Sequence, residues 1–532
     1  MANIPDEGLR PTDEQAAVIE AAKRPRGSLM IEAGAGCAKT STMKMAAKGI
    51  KVPALGLAFN RRIADDLAKA VPANIQVKTM NGLGHGAWMR AVGAHVKLVL
   101  DERKLPKIIR ETAQARKVKL KEDEWDDLRG LVRQAMASGL VPSSVGAEGL
   151  VEDSAEGWQA VAEAGGIEQA APLVDLAREV LERSIEAARR GLISFDDQVY
   201  CSTMLGGKFQ RYPMVLVDED QDLSPLNIRM LGQSLASGGR LLAVGDRRQA
   251  IYAWRGAAGD SAERIRRLAP GADWLDLPLM TTFRCPKLIV ARQQHHVPGF
   301  RAHEANKPGT VAVWREPAGP EAEAWGGWSF ASIAAALPHP RASIAVLCRN
   351  NAPLVKLAMK LVRGRIGVQM LGRDIGKGLE KLVVKLSRDN PGQGVAELRA
   401  ALAAWRDEEA ELAAEYPSRL ESVIDRAECL EAIASEGPRT AGEVTEAIRA
   451  IFQAESGLVT LGSIHRAKGL EWDFVLHLDP WRIPSKWAKE AAKAGATVAL
   501  EQEWNLNYVA ETRTKDTLVL ASLADFRTTS GQ

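Results

Sequence analysis

The stretch "IEAGAGCAKTST", residues 31–42, decides how the chain is read. An apolar run, "SLMIEA" (28–33), ends in a glycine-containing turn, and Lys39-Thr40 then open a helical pattern. A strand, a turn and a helix in that order aim backbone N–H groups and the positive end of the helix at one point, which suits phosphate. The loop runs from Ala33 through Gly34, Ala35, Gly36, Cys37 and Ala38 to Lys39, Thr40 and Ser41. In it Lys39 is expected to reach the outer phosphates of ATP and the Thr40 hydroxyl to ligate Mg²⁺. Phosphate loops usually carry glycine before the lysine, and here that residue is Ala38. Alanine adds only a methyl group, so it is expected to be tolerated where its backbone lies in a region open to alanine.

A nucleotide site also needs acid, and "MVLVDEDQDLS" (214–224) supplies it. An apolar strand delivers Asp218 and Glu219 to its carboxyl end. Asp218 suits Mg²⁺, and Glu219 can orient and deprotonate the attacking water. Further on, "LLAVGDRRQAIYAWRGA" (241–257) is another strand followed by a polar and aromatic loop. Gln249 is positioned there to sense a γ-phosphate, while Tyr252, Trp254 and Arg255 offer flat surfaces and charge to unpaired bases.

Around these segments lie more short apolar runs that read as buried parallel strands: 54–59, 213–219, 240–246, 343–348, 474–478 and 517–522. Helical stretches separate them, the pattern of α/β domains with parallel sheets. Charged, Ala/Leu-rich helices replace this alternation at 91–190 and again at about 377–455. The parse is two α/β units, each interrupted by a helical insertion. At 532 residues the chain exceeds a single core, while 46% apolar and 26% charged residues are ordinary for globular domains.

The net charge of +3 neither identifies nor excludes a nucleic-acid binder. No run of about 20 apolar residues and no secretion-signal order is present, so no membrane association is expected and the protein is read as cytoplasmic. Five scattered cysteines without a CxxC pair read as reduced thiols. His295-His296, with no Cys or acid nearby in sequence, reads as a surface or packing pair rather than a metal site.

The ordered set "PTDEQAAVI", "AGAGCAKTS", "LAFNRRIADDL", "VKTMNGLG", "VDEDQDLS", "VGDRRQAIYAWRGA", "LMTTFRCP", "IAVLCRNN", "LGSIHRAKGLEWDFV" and "NLNYVAETRTK" resembles a UvrD/Rep-type superfamily 1 DNA helicase across nearly the whole chain. The resemblance implies two RecA-like P-loop NTPase domains, 1–90 with 191–275 and 276–376 with 456–532. Helical insertions occupy 91–190 and, in reduced form, 377–455. It further implies that Gln15 reads adenine, that Phe283 lies near adenine, and that Glu471 lies near the ribose or the rim of the site. Arg284 and Arg513 would neutralise charge developing on the γ-phosphate, gaining partners only when nucleotide closes the cleft. Asn60, Thr79, Asn81 and His465 would lie near the DNA strand. For the first three, loop capping is the competing reading.

On this basis the expected enzyme is an ATP-dependent DNA helicase using ATP and Mg²⁺. It would move 3′-to-5′ on single-stranded DNA and unwind duplex junctions in replication, repair or recombination, as a monomer beside replication or recombination proteins. The alternatives are a translocase that strips proteins without efficient unwinding, a DNA-binding scaffold that has lost hydrolysis, and, more weakly, an RNA motor.

Overall fold

The computed structural model describes residues 10–525 apart from 59, 166, 168, 169, 252–259, 270, 314–341, 414–416, 494 and 496. The chain divides into two compact units, with the break between Met280 and Thr281.

In the first unit the strands are β1 (Ser28–Ala33), β2 (Ala54–Ala58), β3 (Ile75–Thr79), β4 (Val99–Leu100), β5 (Leu192–Ile193), β6 (Tyr212–Asp218), β7 (Leu235–Gly245) and β8 (Trp274–Leu279). Six of them form one sheet in the order β3-β2-β6-β7-β1-β8, and every pairing is parallel. All carboxyl ends therefore share one edge, where α/β sheets place their ligands. The inner strands are buried along most of their length, as strands covered on both faces must be. Asp218 lies level with Val244, and Val244 level with Ile31. The acidic strand and the phosphate-loop strand thus reach the edge at the same height, with β7 between them.

The stretch 91–190 contains the helices Lys104–Ala115, Glu122–Ser138, Ala155–Gly165 and Val174–Arg189. They close on a core of their own around Ile109, Leu131, Trp158 and Leu181, which also takes in Trp88 and Tyr200 from the flanking helices. Two features fasten this insertion to the body. The short pair β4–β5 joins its two ends, and Lys104, itself buried, donates to Asp197 Oδ2 and to the Ser184 carbonyl, both at 2.7 Å. Gly84 lets the helices Met80–Val92 and Phe195–Met204 touch, because a Cβ there would come within 2.1 Å of the Gln198 carbonyl oxygen.

The second unit contains β9 (Thr281–Thr282), β10 (Arg301–Ala302), β11 (Thr310–Val313), β12 (Ile344–Cys348), β13 (Val368–Met370), β14 (Val459–Ser463), β15 (Trp472–Leu478) and β16 (Thr514–Ala521). Six of these make a second parallel sheet, ordered β11-β16-β15-β12-β14-β13. The helices Val395–Leu412, Pro417–Ala434 and Ala441–Phe452 do not enclose a core of their own. Leu398, Leu402, Leu430, Ile433 and Ile448 join one cluster with Ile344, Val346, Leu461 and Leu476 of the sheet. The two helical stretches, alike in sequence pattern, are thus built differently.

Both sheets were expected from the apolar runs, and all seven such runs lie in parallel strands. The strands without that signal include the edges of the first sheet: β3 and β8 are mostly part-buried or exposed and carry polar residues between apolar ones, so no continuous apolar run marks them. All five cysteines are free and buried. Among the described residues no helix is long and apolar enough to cross a membrane.

Replacing Lys104 by Met leaves the Asp197 carboxylate buried without its cation, a change that costs about 3–5 kcal/mol. An unfolding free energy lowered by that amount, read from urea titration as a lower midpoint at unchanged slope, is the expected outcome.

Candidate nucleotide site

The phosphate loop begins where Gly34 donates its N–H to Leu279 O at 2.9 Å, tying the turn to β8. Ala33, Ala35 and Cys37 are buried beneath it, and the Cys37 thiol turns back toward the Ala35 carbonyl. Gly36 has φ 70° and Ala38 has φ 56°, ψ 38°, the left-handed region. The condition set for tolerating Ala38, a backbone region open to alanine, is therefore not met. The turn into the helix Lys39–Ala47 requires a left-handed residue, and a Cβ there is strained. The helix starts regardless, because Thr42 N–H and Thr42 Oγ1 both donate to Ala38 O.

Across β7 the acids come to meet this loop. Thr40 Oγ1 donates to Asp218 Oδ2 at 2.9 Å, bridging 178 positions of sequence, and Lys39 Nζ lies 3.3 Å from Glu219 Oε2. Burial opposes the charge on Lys39. Glu219, Asp246 and Asp218 together outweigh that effect and raise its pKa above the ordinary lysine value. Burial and the neighbouring Glu219 push the Asp218 carboxyl up to about 6. Glu219 itself is left-handed at φ 57°, which turns the chain sharply after β6. A hydroxyl and a carboxylate in contact are hard oxygen donors, the kind Mg²⁺ takes from protein while substrate phosphates complete its shell. The residues fit that ion.

A hydrogen-bonded chain extends the site toward the third strand. Gln221 Nε2 donates to Glu219 Oε2 at 2.6 Å, and Gln221 Oε1 accepts the Asp246 N–H at 2.9 Å. Gln249 Nε2 donates to Asp246 Oδ2 at 2.7 Å. Gly245 must be glycine, since a Cβ would meet Asp220 Oδ1 at 1.7 Å. Gln15 sits beside the loop helix. Its side chain closes the capping box with Thr12 and donates to Thr42 Oγ1 at 3.1 Å.

The second unit brings its own group together. Arg284 Nε lies 2.6 Å from Glu471 Oε2. Arg513 is 1% exposed and gives Nε to Val509 O at 3.1 Å. Cys285 Sγ, next to Arg284, donates to Thr512 O, next to Arg513. Phe283 stacks on His303 with ring centroids 4.9 Å apart. Arg284 is thus partnered by Glu471, and Arg513 by the Val509 carbonyl.

A family model for the UvrD/REP helicase N-terminal domain matches residues 59–268, and one for the UvrD-like helicase C-terminal domain matches 395–524. Between them the matches cover more than half of the chain. The chain belongs to the UvrD/Rep helicase family. The ATP-dependent DNA helicase UvrD2 of Mycobacterium tuberculosis (strain ATCC 25618 / H37Rv) is 26% identical over 572 residues, which is 94% of this chain and 77% of that protein. DNA helicase II of Escherichia coli K12 is 25% identical over 282 residues, 48% of this chain and 37% of its own length. The RecBCD enzyme subunit RecB of Mycolicibacterium smegmatis is 34% identical over 138 residues, 24% of this chain and 12% of the subunit. Membership of the UvrD/Rep family makes this chain an ATP-dependent DNA helicase by class.

Of the DNA-side candidates of this UvrD/Rep chain, Asn60 caps the helix Arg61–Ala68 by accepting Ile63 N–H, and Thr79 caps Met80–Val92 by accepting Gly82 N–H. Asn81 Nδ2 donates to Phe195 O. His465 is half-buried in the short helix after β14. Tyr252, Trp254 and Arg255 lie outside the described residues. His296 contacts Asn505 and packs on Tyr508, and no cluster of metal-ligating side chains occurs among the described residues.

Sequence reading missed Gln221, Asp246 and Glu511. Glu511, 1% exposed, accepts from Arg292 Nε and Nη2 and from Gln293 Nε2, so the helix Thr497–Thr512, just before Arg513, is bolted to the helix Lys287–Gln293. An acid two residues before an arginine inside "YVAETR" was the available signal.

Ala38→Gly removes the left-handed strain and is expected to stabilise the protein by about 0.5–1 kcal/mol, seen as a raised thermal midpoint. A second outcome concerns pH. The folded Asp218 carboxyl titrates at about 6 against an ordinary 3.8, so the folded state takes up a proton that the unfolded state does not. Metal-free stability therefore gains as pH falls through that window and loses as pH rises. Asp218→Asn is expected to reduce this dependence in denaturant titrations run with a chelator, and Asp220, pushed up to about 7 by burial, keeps the remainder.

Proposed function

We propose that the protein is an ATP-driven motor that moves 3′-to-5′ on single-stranded DNA and opens duplex junctions, working as a monomer in replication, repair or recombination. The observation that carries the reading is the meeting of Lys39 and Thr40 with Glu219 and Asp218 at one sheet edge. Lys39 would bind the outer phosphates of ATP. Thr40 and Asp218 would hold Mg²⁺, which when bound offsets phosphate charge. Glu219, oriented by Gln221, would take a proton from the attacking water, and Gln249 would report the γ-phosphate to the segment that follows it.

Arg284 and Arg513 would complete the charge stabilisation from the second unit. For Arg284 this means exchanging the Glu471 carboxylate for phosphate. The nucleotide then favours one arrangement of the domains over another, and hydrolysis removes the preference. Backbone phosphates of the strand would supply a salt-sensitive grip, and stacking a grip with little base preference. Polarity rests on family resemblance, and the relatives named as DNA helicases support DNA as the track.

One observation favours the protein-stripping alternative. The helices of 377–455 are built into the core of the second sheet, so they offer less of an independent body to work on a duplex fork.

The test is ATP turnover with and without single-stranded DNA, alongside unwinding of duplexes with 3′ or 5′ tails. Turnover is expected to rise with DNA and to fall by at least about 10²-fold in Glu219→Gln and in Lys39→Ala. A preference for 5′ tails would reverse the polarity, and translocation past a fork that stays paired would select the stripping reading.

A further inference from the structure

Trp481 is 63% exposed, yet its surroundings are rigidly built. β15 ends at Leu478, Asp479 turns the chain with a left-handed φ of 50°, and the single turn Pro480–Arg482 follows. The Asp479 carboxylate, 2% exposed, accepts Leu523 N–H at 2.8 Å, Ser522 Oγ at 3.3 Å and Arg482 Nε at 3.0 Å. The Arg482 guanidinium in turn lies 4.8 Å from the centroid of the Trp481 ring. A buried acid thus braces the turn, and a cation braces the indole. An exposed ring is ordinary by itself; what sets Trp481 apart is the braced guanidinium at its face.

Two further observations narrow the ligand. Within 482–490 the ionic side chains are the cations Arg482, Lys486 and Lys489 and one acid, Glu490. β15 is also parallel to β12, and β12 to β14, so Trp481 stands on the same sheet edge as His465. A flat aromatic face beside fixed positive charge suits an unpaired base with its phosphate. An apolar protein surface would make no use of the cations.

We propose that Trp481, backed by Arg482, is a stacking platform for an unpaired base of single-stranded DNA in the second unit. This rests on the function proposed above. Arg482 spends one N–H on Asp479 and keeps others for a phosphate. Because the turn is ordered in advance, binding a base there loses little conformational freedom.

The experiment measures equilibrium affinity for labelled oligo-dT and for an oligonucleotide of the same length made of abasic units, using wild type, Trp481→Ala, Trp481→Leu and Trp481→Phe. Thermal midpoints serve as the folding control. Trp481→Ala and Trp481→Leu are expected to weaken oligo-dT binding by about 5- to 100-fold, with Trp481→Phe recovering most of the loss. On the abasic oligonucleotide the variants and wild type are expected to bind alike. Equal oligo-dT affinity in wild type and Trp481→Leu would overturn the platform, as would a deficit of the same size on abasic DNA. If wild type binds no single-stranded DNA at all, it is the proposed function that fails.

Discussion

The first unit is organised around one electrostatic constraint: the buried Asp218 carboxylate and the half-buried Glu219 carboxylate stand side by side at a sheet edge, where a lysine and a threonine hydroxyl face them. Such a group is expensive unless its charges are matched. Lys39 matches part of the negative charge, while burial first, and the neighbouring Glu219 second, still push the Asp218 carboxyl up. A divalent cation carried in with a polyphosphate would complete it. Sheet order, the level register of β1, β7 and β6, and the glycine at 245 all serve to set these few atoms together.

The second unit, taken by itself, holds its cations under restraint. Arg284 is held by Glu471, Arg513 by backbone carbonyls, and the two are linked through Cys285, Thr512, Arg292, Gln293 and Glu511. Their spacing is thereby fixed by buried hydrogen bonds rather than by the flexibility of two long side chains. Fixed spacing matters for groups that must meet charge as it develops, since a donor that has to reorganise contributes less.

Much of this was legible in the chain. Buried parallel strands announce themselves as apolar runs, and the motifs at their carboxyl ends carry enough chemistry to name Lys39, Thr40, Asp218 and Glu219 before any fold is seen. What remained hidden depends on dihedral angles or on distant partners. Nothing in "GCAKT" reveals that Ala38 is left-handed, and nothing near Glu471 names Arg284, 187 positions away, as its partner. Edge strands such as β3 and β8 hide because one side faces water. The 377–455 helices resemble the first insertion in composition, and only their packing tells them apart.

The ion pair between Glu471 and Arg284 has a consequence for cycling. In the proposed function a carboxylate leaves the guanidinium as a phosphate oxygen takes over, so one anion replaces another and the arginine is never returned to bulk water. The guanidinium is only partly exposed in that pair, so part of its desolvation would be met by the fold and the rest by the incoming anion.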